Sequence, residues 1–207
     1  MAEDLPIYSD IPLRTGLQFA ELERLKGIEL STILERADAA ISALEGAAGA
    51  SAARQELHTA SKNELLRIHR LLFPDRKGAG EIRSTASAPL YRGQDCVPPE
   101  FIARSLDNLM GWLAAESFSQ IHPVEQCALT LTRVIDVWPF EFGNLTAAMV
   151  FANLPLLNAG LAPFFVEPQH RNELEKAIGQ AMIIDMQPLV NGIFRTVKKE
   201  METLARR

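Results

Sequence analysis

The residues from Trp138 to Thr146, WPFEFGNLT, keep a Pro-Phe pair and a Gly-Asn pair at a short, fixed spacing, with few groups able to react. Glu141 is the one acid in the stretch, and a carboxylate can take a proton or hold a metal ion. Trp138 carries an indole that donates a hydrogen bond but cannot accept a proton. Its ring suits an apolar plug or a stacking platform for a planar ligand. Phe142 and Leu145 offer a reacting group almost nothing. Elsewhere, Ser84, Thr85 and Ser87 bear hydroxyls that can hydrogen-bond a partner strand or simply keep a loop solvated. His58, His69, His122 and His170 are scattered, without a ligand spacing such as i and i+4, and are expected in structural or surface roles. Cys96 and Cys127 lie far apart with no metal-type spacing, which predicts reduced thiols, a cytosolic protein and no metal site.

The elements that must position these groups are helical. Phe19, Leu22, Leu25, Ile28, Ile33, Leu34, Ala37, Ile41 and Leu44 recur at intervals of three and four, predicting one long amphipathic helix that ends at the glycine cap Gly46. A second helix is expected over 52–73, stopped by Pro74. The Gly-, Ser- and Pro-rich run DRKGAGEIRSTASAPLYRGQDCVPP predicts a loop or short hairpin, with IRSTASAPLY extended. Pro98 and Pro99 open a helix to about Ala115, with Ile102, Leu106, Leu109 and Trp112 on one face. His122-Pro123 starts another that runs into the Trp138 stretch. Beyond it a helix resumes to 158–160, and two more follow, over 172–182 and from an Asp185 cap to the C-terminus. The expected fold is all-α with a short β-hairpin flap.

Composition narrows the function. A hydrophobic fraction of 47% supports a substantial core, and a formal net charge of −5 excludes general nucleic-acid binding, which needs a basic surface. The acidic, Pro-broken start MAEDLPIYSD is the reverse of a secretory signal. AAMVFANLPLLNAGLAPFFV has the length of a membrane span but carries Asn153, Pro155, Asn158, Gly160 and Pro163. It is expected instead as a buried helix, an exit turn and the segment after it, with no membrane partner.

Taken together, GAGEIRSTASAPLYRGQDCVPPEFIARSLDNLMGWL, HPVEQCALTLTRVIDVWPFEFGNLTAAM, ANLPLLNAGLAPFF and IDMQPLV resemble, in order, the segments of Fic (Fido-superfamily) proteins, whose central motif is HPFxDGNGRxxR. The likeness implies a Fic-like domain over 51–207. It also implies an N-terminal helical segment, 1–50, similar to the family's inhibitory helix: ISALEG matches S/T-x-x-x-E-G/N at Glu45 and Gly46, with Ile41 where Ser or Thr belongs. The family activity so implied is AMP transfer from ATP to a protein hydroxyl. A histidine acts as base, an acid holds magnesium, the Gly-Asn-Gly backbone at a helix N-terminus meets phosphate, and two arginines bind phosphate charge. The flap, here Arg83, Ser84, Thr85 and Ser87, would align a partner's backbone as an added strand.

Position by position, the base becomes Trp138, the metal acid Phe142, the second glycine Leu145, and the arginines Thr146 and Met149. Pro139, Phe140, Gly143 and Asn144 remain, the last two as ligand- or phosphate-binding candidates. A general base is worth about 10²–10⁴ in rate, and a charge-stabilising arginine about 10³–10⁵. The resemblance therefore implies a degenerate Fic protein, a pseudoenzyme that binds a protein partner through its flap or a ligand at the altered pocket, and that self-associates as Fic proteins often do. No cofactor is expected, with ATP and magnesium entering only through residual nucleotide binding. The alternative is an enzyme with altered nucleotidyl-transfer chemistry that uses Glu141 or a group supplied by a partner.

Overall fold

The computed structural model describes residues 19–29, 31–35, 39, 60–87, 95–166, 168–183 and 185–206. Its architecture is a helical bundle: α1 (Ala20–Leu25), α2 (Lys62–Leu72), α3 (Pro99–Leu113), α4 (Glu116–Ser119), α5 (Pro123–Val137), α6 (Asn144–Ala152), α7 (Leu154–Asn158), α8 (Arg171–Ala181) and α9 (Gln187–Leu204). No strand occurs among the described residues. The segment expected as a β-hairpin flap leaves 81–87 as non-helical chain, and 88–94 lie outside the described residues.

Helix α5 is the centre of the bundle, packing on α3, α6, α7 and α9. His122 caps its start, with Nδ1 accepting from the Val124 N–H at 3.2 Å, and Pro123 occupies the first turn, where a missing N–H costs nothing. Leu131, Val134 and Ile135 are fully buried along it. Helix α6, which follows the Trp138 turn, is buried nearly all round. That is the pattern of a core helix rather than a surface one.

Three helix boundaries differ from the sequence expectation. The long first helix stops at Leu25: Lys26 turns extended and Gly27 takes φ +118°, a conformation only glycine adopts freely. A second helical piece covers 31–35. The bend lets Leu22 and Ile33 both reach the core, which outweighs the continuous periodicity; Gly46 lies outside the described residues. The second helix is described from Lys62, where Ser61 caps it with its hydroxyl accepting from the Glu64 N–H at 3.1 Å, and 52–59 lie outside the described residues. The helix after the turn is two helices, interrupted at Asn153. There the Asn153 amide donates to the Met149 and Phe164 carbonyls, both at 2.8 Å, and accepts from the Phe164 N–H, fixing the exit segment 161–166 against the core. The 147–166 segment is thus, as expected, a buried helix, a turn and an exit segment, and among the described residues no helix is long and apolar enough to cross a membrane. As expected, the Asp185 carboxylate accepts from the Gln187 N–H, at 3.0 Å, at the start of α9.

Candidate functional site

The turn between α5 and α6 is made by the two residue pairs that stand out in the sequence. Helix α5 ends at Trp138, which takes the left-handed conformation, φ 48° and ψ 62°, and is the one non-glycine residue with positive φ among those described. A bulky side chain there costs about 1–2 kcal/mol, so the surroundings must hold it. Two hydrogen bonds do: Trp138 N–H donates to Val134 O at 3.0 Å, and Trp138 O accepts from Arg83 Nε at 2.8 Å. The chain then passes Pro139 and Phe140 to Asn144, whose side chain closes the turn on itself. Asn144 Oδ1 accepts from the Phe140 N–H at 2.8 Å, and Asn144 Nδ2 donates to Phe140 O at 2.7 Å. Asn144 is buried, so both of its polar ends are spent within the turn. Gly143, at φ +66°, starts α6 beneath the Phe73 ring; a β-carbon there would sit 2.3 Å from Phe73 Cε2.

Below the turn lies an aromatic cluster organised by His69. Its Nδ1 accepts from the Gly80 N–H at 2.8 Å, which leaves Nε2 to carry the proton and donate to Phe142 O at 2.9 Å. The neutral ring stacks on Phe140 with centroids 3.8 Å apart. Burial holds the His69 pKa below the ordinary histidine value against the pull of the Phe142 carbonyl, with Arg76 lowering it further. Phe142 stands edge-on to Phe73 at 5.4 Å, and the Arg76 guanidinium lies 3.8 Å over its ring, a cation–π contact. Leu145 and Met149 are buried in the core, while Thr146 is half-buried.

On the other side, the flap is fastened by Arg83. Its guanidinium is only 3% exposed and reaches three carbonyls: Trp138 O through Nε, Thr85 O through Nη1 at 2.7 Å, and Val97 O through Nη2. Its own N–H donates to Pro139 O at 2.9 Å. One side chain thereby ties Thr85 and Val97 to the turn. Glu141 forms the second fastening. It accepts from the Thr85 hydroxyl at 2.8 Å and, at 3.3 Å, from the Ser84 and Thr85 N–H groups. These donors, the hydroxyl foremost, hold its carboxyl below the usual carboxylate range.

Several residues singled out in the sequence thus meet at one turn: Trp138, Phe142, Gly143, Asn144, Arg83, Ser84, Thr85 and Glu141. Ser87 is half-buried with no partner given by the structure, and Glu45 lies outside the described residues. Sequence reasoning placed His69 among structural histidines but missed that it organises the turn, together with Phe73 and Arg76. The i, i+4 pair His69 and Phe73 on α2 was the available signal. His122 is also structural, stacked on Phe19 at 3.7 Å beside Glu23, and burial pushes its pKa down to about 4. Among the described residues, no group of three or more His, Cys, Asp or Glu is close enough to hold a metal ion.

Residues 59–156, from α2 through the turn into α7, match the Fic/DOC family. The chain carries a Fic/DOC domain. Its relatives include the protein adenylyltransferases fic-1 of Caenorhabditis briggsae and of Caenorhabditis elegans. Each is 30% identical, over 74% and 71% of this chain but 29% and 28% of the relatives' own lengths. The chain therefore spans less than a third of these proteins. Among solved structures, C. elegans Fic-1 residues 134–508 superimpose with a TM-score of 0.61 at 26% identity, covering 70% of this chain and 43% of that one. IbpAFic2 covalently tethered to Cdc42 gives 0.60 at 20% identity, over 87% of this chain and 69% of that one. The latter similarity is one of fold alone. The Fic domain of this chain places its α5–α6 turn and its flap against each other through Arg83 and Glu141.

Proposed function

We propose that this Fic domain is a binding module that does not run the family's AMP transfer, and that it engages a protein partner along the flap or a ligand at the Trp138–Thr146 turn. The observation that carries this reading is the fate of Phe142. It stands where the resemblance puts the magnesium-holding acid, yet its ring completes an aromatic cluster with Phe73 and His69 and is capped by Arg76. The other positions support it. Trp138 stands at the base position and cannot take a proton from an attacking hydroxyl. Met149, at the position of the second arginine, is a core residue. The Asn144 side chain is turned onto Phe140 through both its oxygen and its nitrogen. The donor set does not fit magnesium nucleotide.

What the domain retains is the geometry that shapes a partner site. The turn is closed by the Asn144 side chain, and the flap base is held beside it by Arg83 and Glu141. A Fic fold neighbour has been solved tethered to a protein, Cdc42, and the flap is the surface through which a partner would be met here. The second reading, an altered nucleotidyl transferase, is favoured by the relatives' names, protein adenylyltransferase. It would need Glu141 or a group supplied by a partner as acid or base, and Glu141 is engaged by Thr85.

Isothermal titration with ATP and magnesium separates the two. The binding-module reading expects no magnesium-dependent heat at micromolar nucleotide and no transfer of label from labelled ATP to any protein. Transfer by the purified chain would overturn it. Restoring Trp138→His, Phe142→Asp, Leu145→Gly and Thr146→Arg together should raise nucleotide affinity above that of the unaltered chain.

A further inference from the structure

The Ser84 and Thr85 N–H groups and the Thr85 hydroxyl converge on one point that Glu141 fills, and the Arg83 guanidinium, bonded to the Thr85 carbonyl, adds a weaker attraction. Three donors and an adjacent fixed cation make a site for a carboxylate. Arg83 is held by three backbone carbonyls, so its charge stays in place whether or not Glu141 does. Glu141 itself is exposed. Hydrogen bonds from an exposed carboxylate contribute little net stability, because water replaces them readily. Arg83 holds Thr85 to the turn independently of Glu141, which leaves the occupant of the site exchangeable.

We propose that Glu141 is a carboxylate plug, closing in cis a carboxylate-binding site at the base of the flap, and that an acidic side chain of a protein partner takes its place when the flap is engaged. The proposal rests on the partner-binding reading of the flap and names what the partner presents there: an Asp or Glu on an extended segment. It also gives Glu141 a task other than metal binding or proton transfer. The plug keeps the flap donors satisfied while no partner is bound.

The test is amide NMR on the full chain and on the Glu141→Ala variant. The altered side chain is exposed, so the fold should be retained, and circular dichroism verifies it. Sodium acetate and the blocked peptides Ac-Ala-Asp-Ala-NH2 and Ac-Ala-Asn-Ala-NH2 are titrated at constant ionic strength. In the variant, the Ser84 and Thr85 amide resonances should shift saturably with acetate and with the Asp peptide but not with the Asn peptide. The apparent affinity should be at least tenfold above that of the unaltered chain. Adding Thr85→Val to the variant should abolish the response. Equal responses of the two proteins to the Asp peptide at these amides would overturn the plug and leave the flap as a binding surface. No response at any flap amide in either protein would overturn both the plug and the partner reading beneath it.

Discussion

Replacing Gly143 by alanine tests whether the turn is kept by packing rather than by chemistry. The glycine sits at φ +66°, where a side chain costs about 1–2 kcal/mol. Reduced freedom of the unfolded alanine chain returns roughly 0.4–1 kcal/mol. The new β-carbon would lie 2.3 Å from Phe73 Cε2 and 2.5 Å from Phe73 Cζ. Phe73 is buried and held between His69 and Phe142, so the ring has little room to retreat. Overpacking of this kind costs about 1–3 kcal/mol. The sum is about 1–4.6 kcal/mol, a large share of the roughly 5–15 kcal/mol that holds an ordinary domain folded. Urea denaturation followed by circular dichroism measures it. The decisive comparison is the same change in a Phe73→Leu background, where the clashing ring atoms are gone. There Gly143→Ala should cost only the conformational part, about 1 kcal/mol. A cost below 1 kcal/mol in the unaltered chain, or equal costs in both backgrounds, would refute the packing argument.

Three further outcomes are expected. Arg83→Met removes donors from three buried or half-buried carbonyls and should cost about 2–5 kcal/mol. Hydrogen exchange of the 84–87 amides should accelerate with it, whereas a surface arginine would show neither effect. Asn144→Asp keeps the acceptor for the Phe140 N–H but sets a carboxylate against Phe140 O. It should lower urea stability by about 1–3 kcal/mol at neutral pH, and an unchanged midpoint would contradict the clamp. His122 titrates at about 4 in the folded chain because burial outweighs the attraction of Glu23, against about 6.5 unfolded. The unfolded chain therefore binds more protons between these values, and stability falls as pH drops from about 6.5 to about 4. The loss from this group is on the order of 3 kcal/mol. His122→Asn keeps a capping side chain and should flatten that dependence in pH-dependent urea denaturation. His69, lowered by burial, and Asp136, raised by burial, titrate in both proteins and cancel in the difference.

The likeness to Fic proteins was legible because it resides in the order of short local signals: the flap sequence, Pro98-Pro99, His122-Pro123, the Pro-Phe and Gly-Asn pairs, and the helices between them. Each is a statement about backbone conformation within a few residues, and backbone preference is encoded locally. Helix boundaries were less legible. The periodicity from Phe19 to Leu44 gave no sign that Gly27 would break it, since the break answers to where Leu22 and Ile33 must pack.

The candidate site divides in the same way. The sequence by itself determined which residue types stand at the turn: that Trp138 cannot be a base, that Phe142 cannot hold a metal ion, and that Pro139, Phe140, Gly143 and Asn144 can shape the chain. Only the tertiary structure decided what those residues do instead. Asn144 spends both ends on Phe140, Gly143 makes room for Phe73, and His69, 73 residues before the Phe142 carbonyl it meets, organises the cluster. Arg83 and Glu141 join the flap to the turn across intervals of similar length. Such contacts depend on how helices far apart in the chain pack together, and no local pattern specifies that.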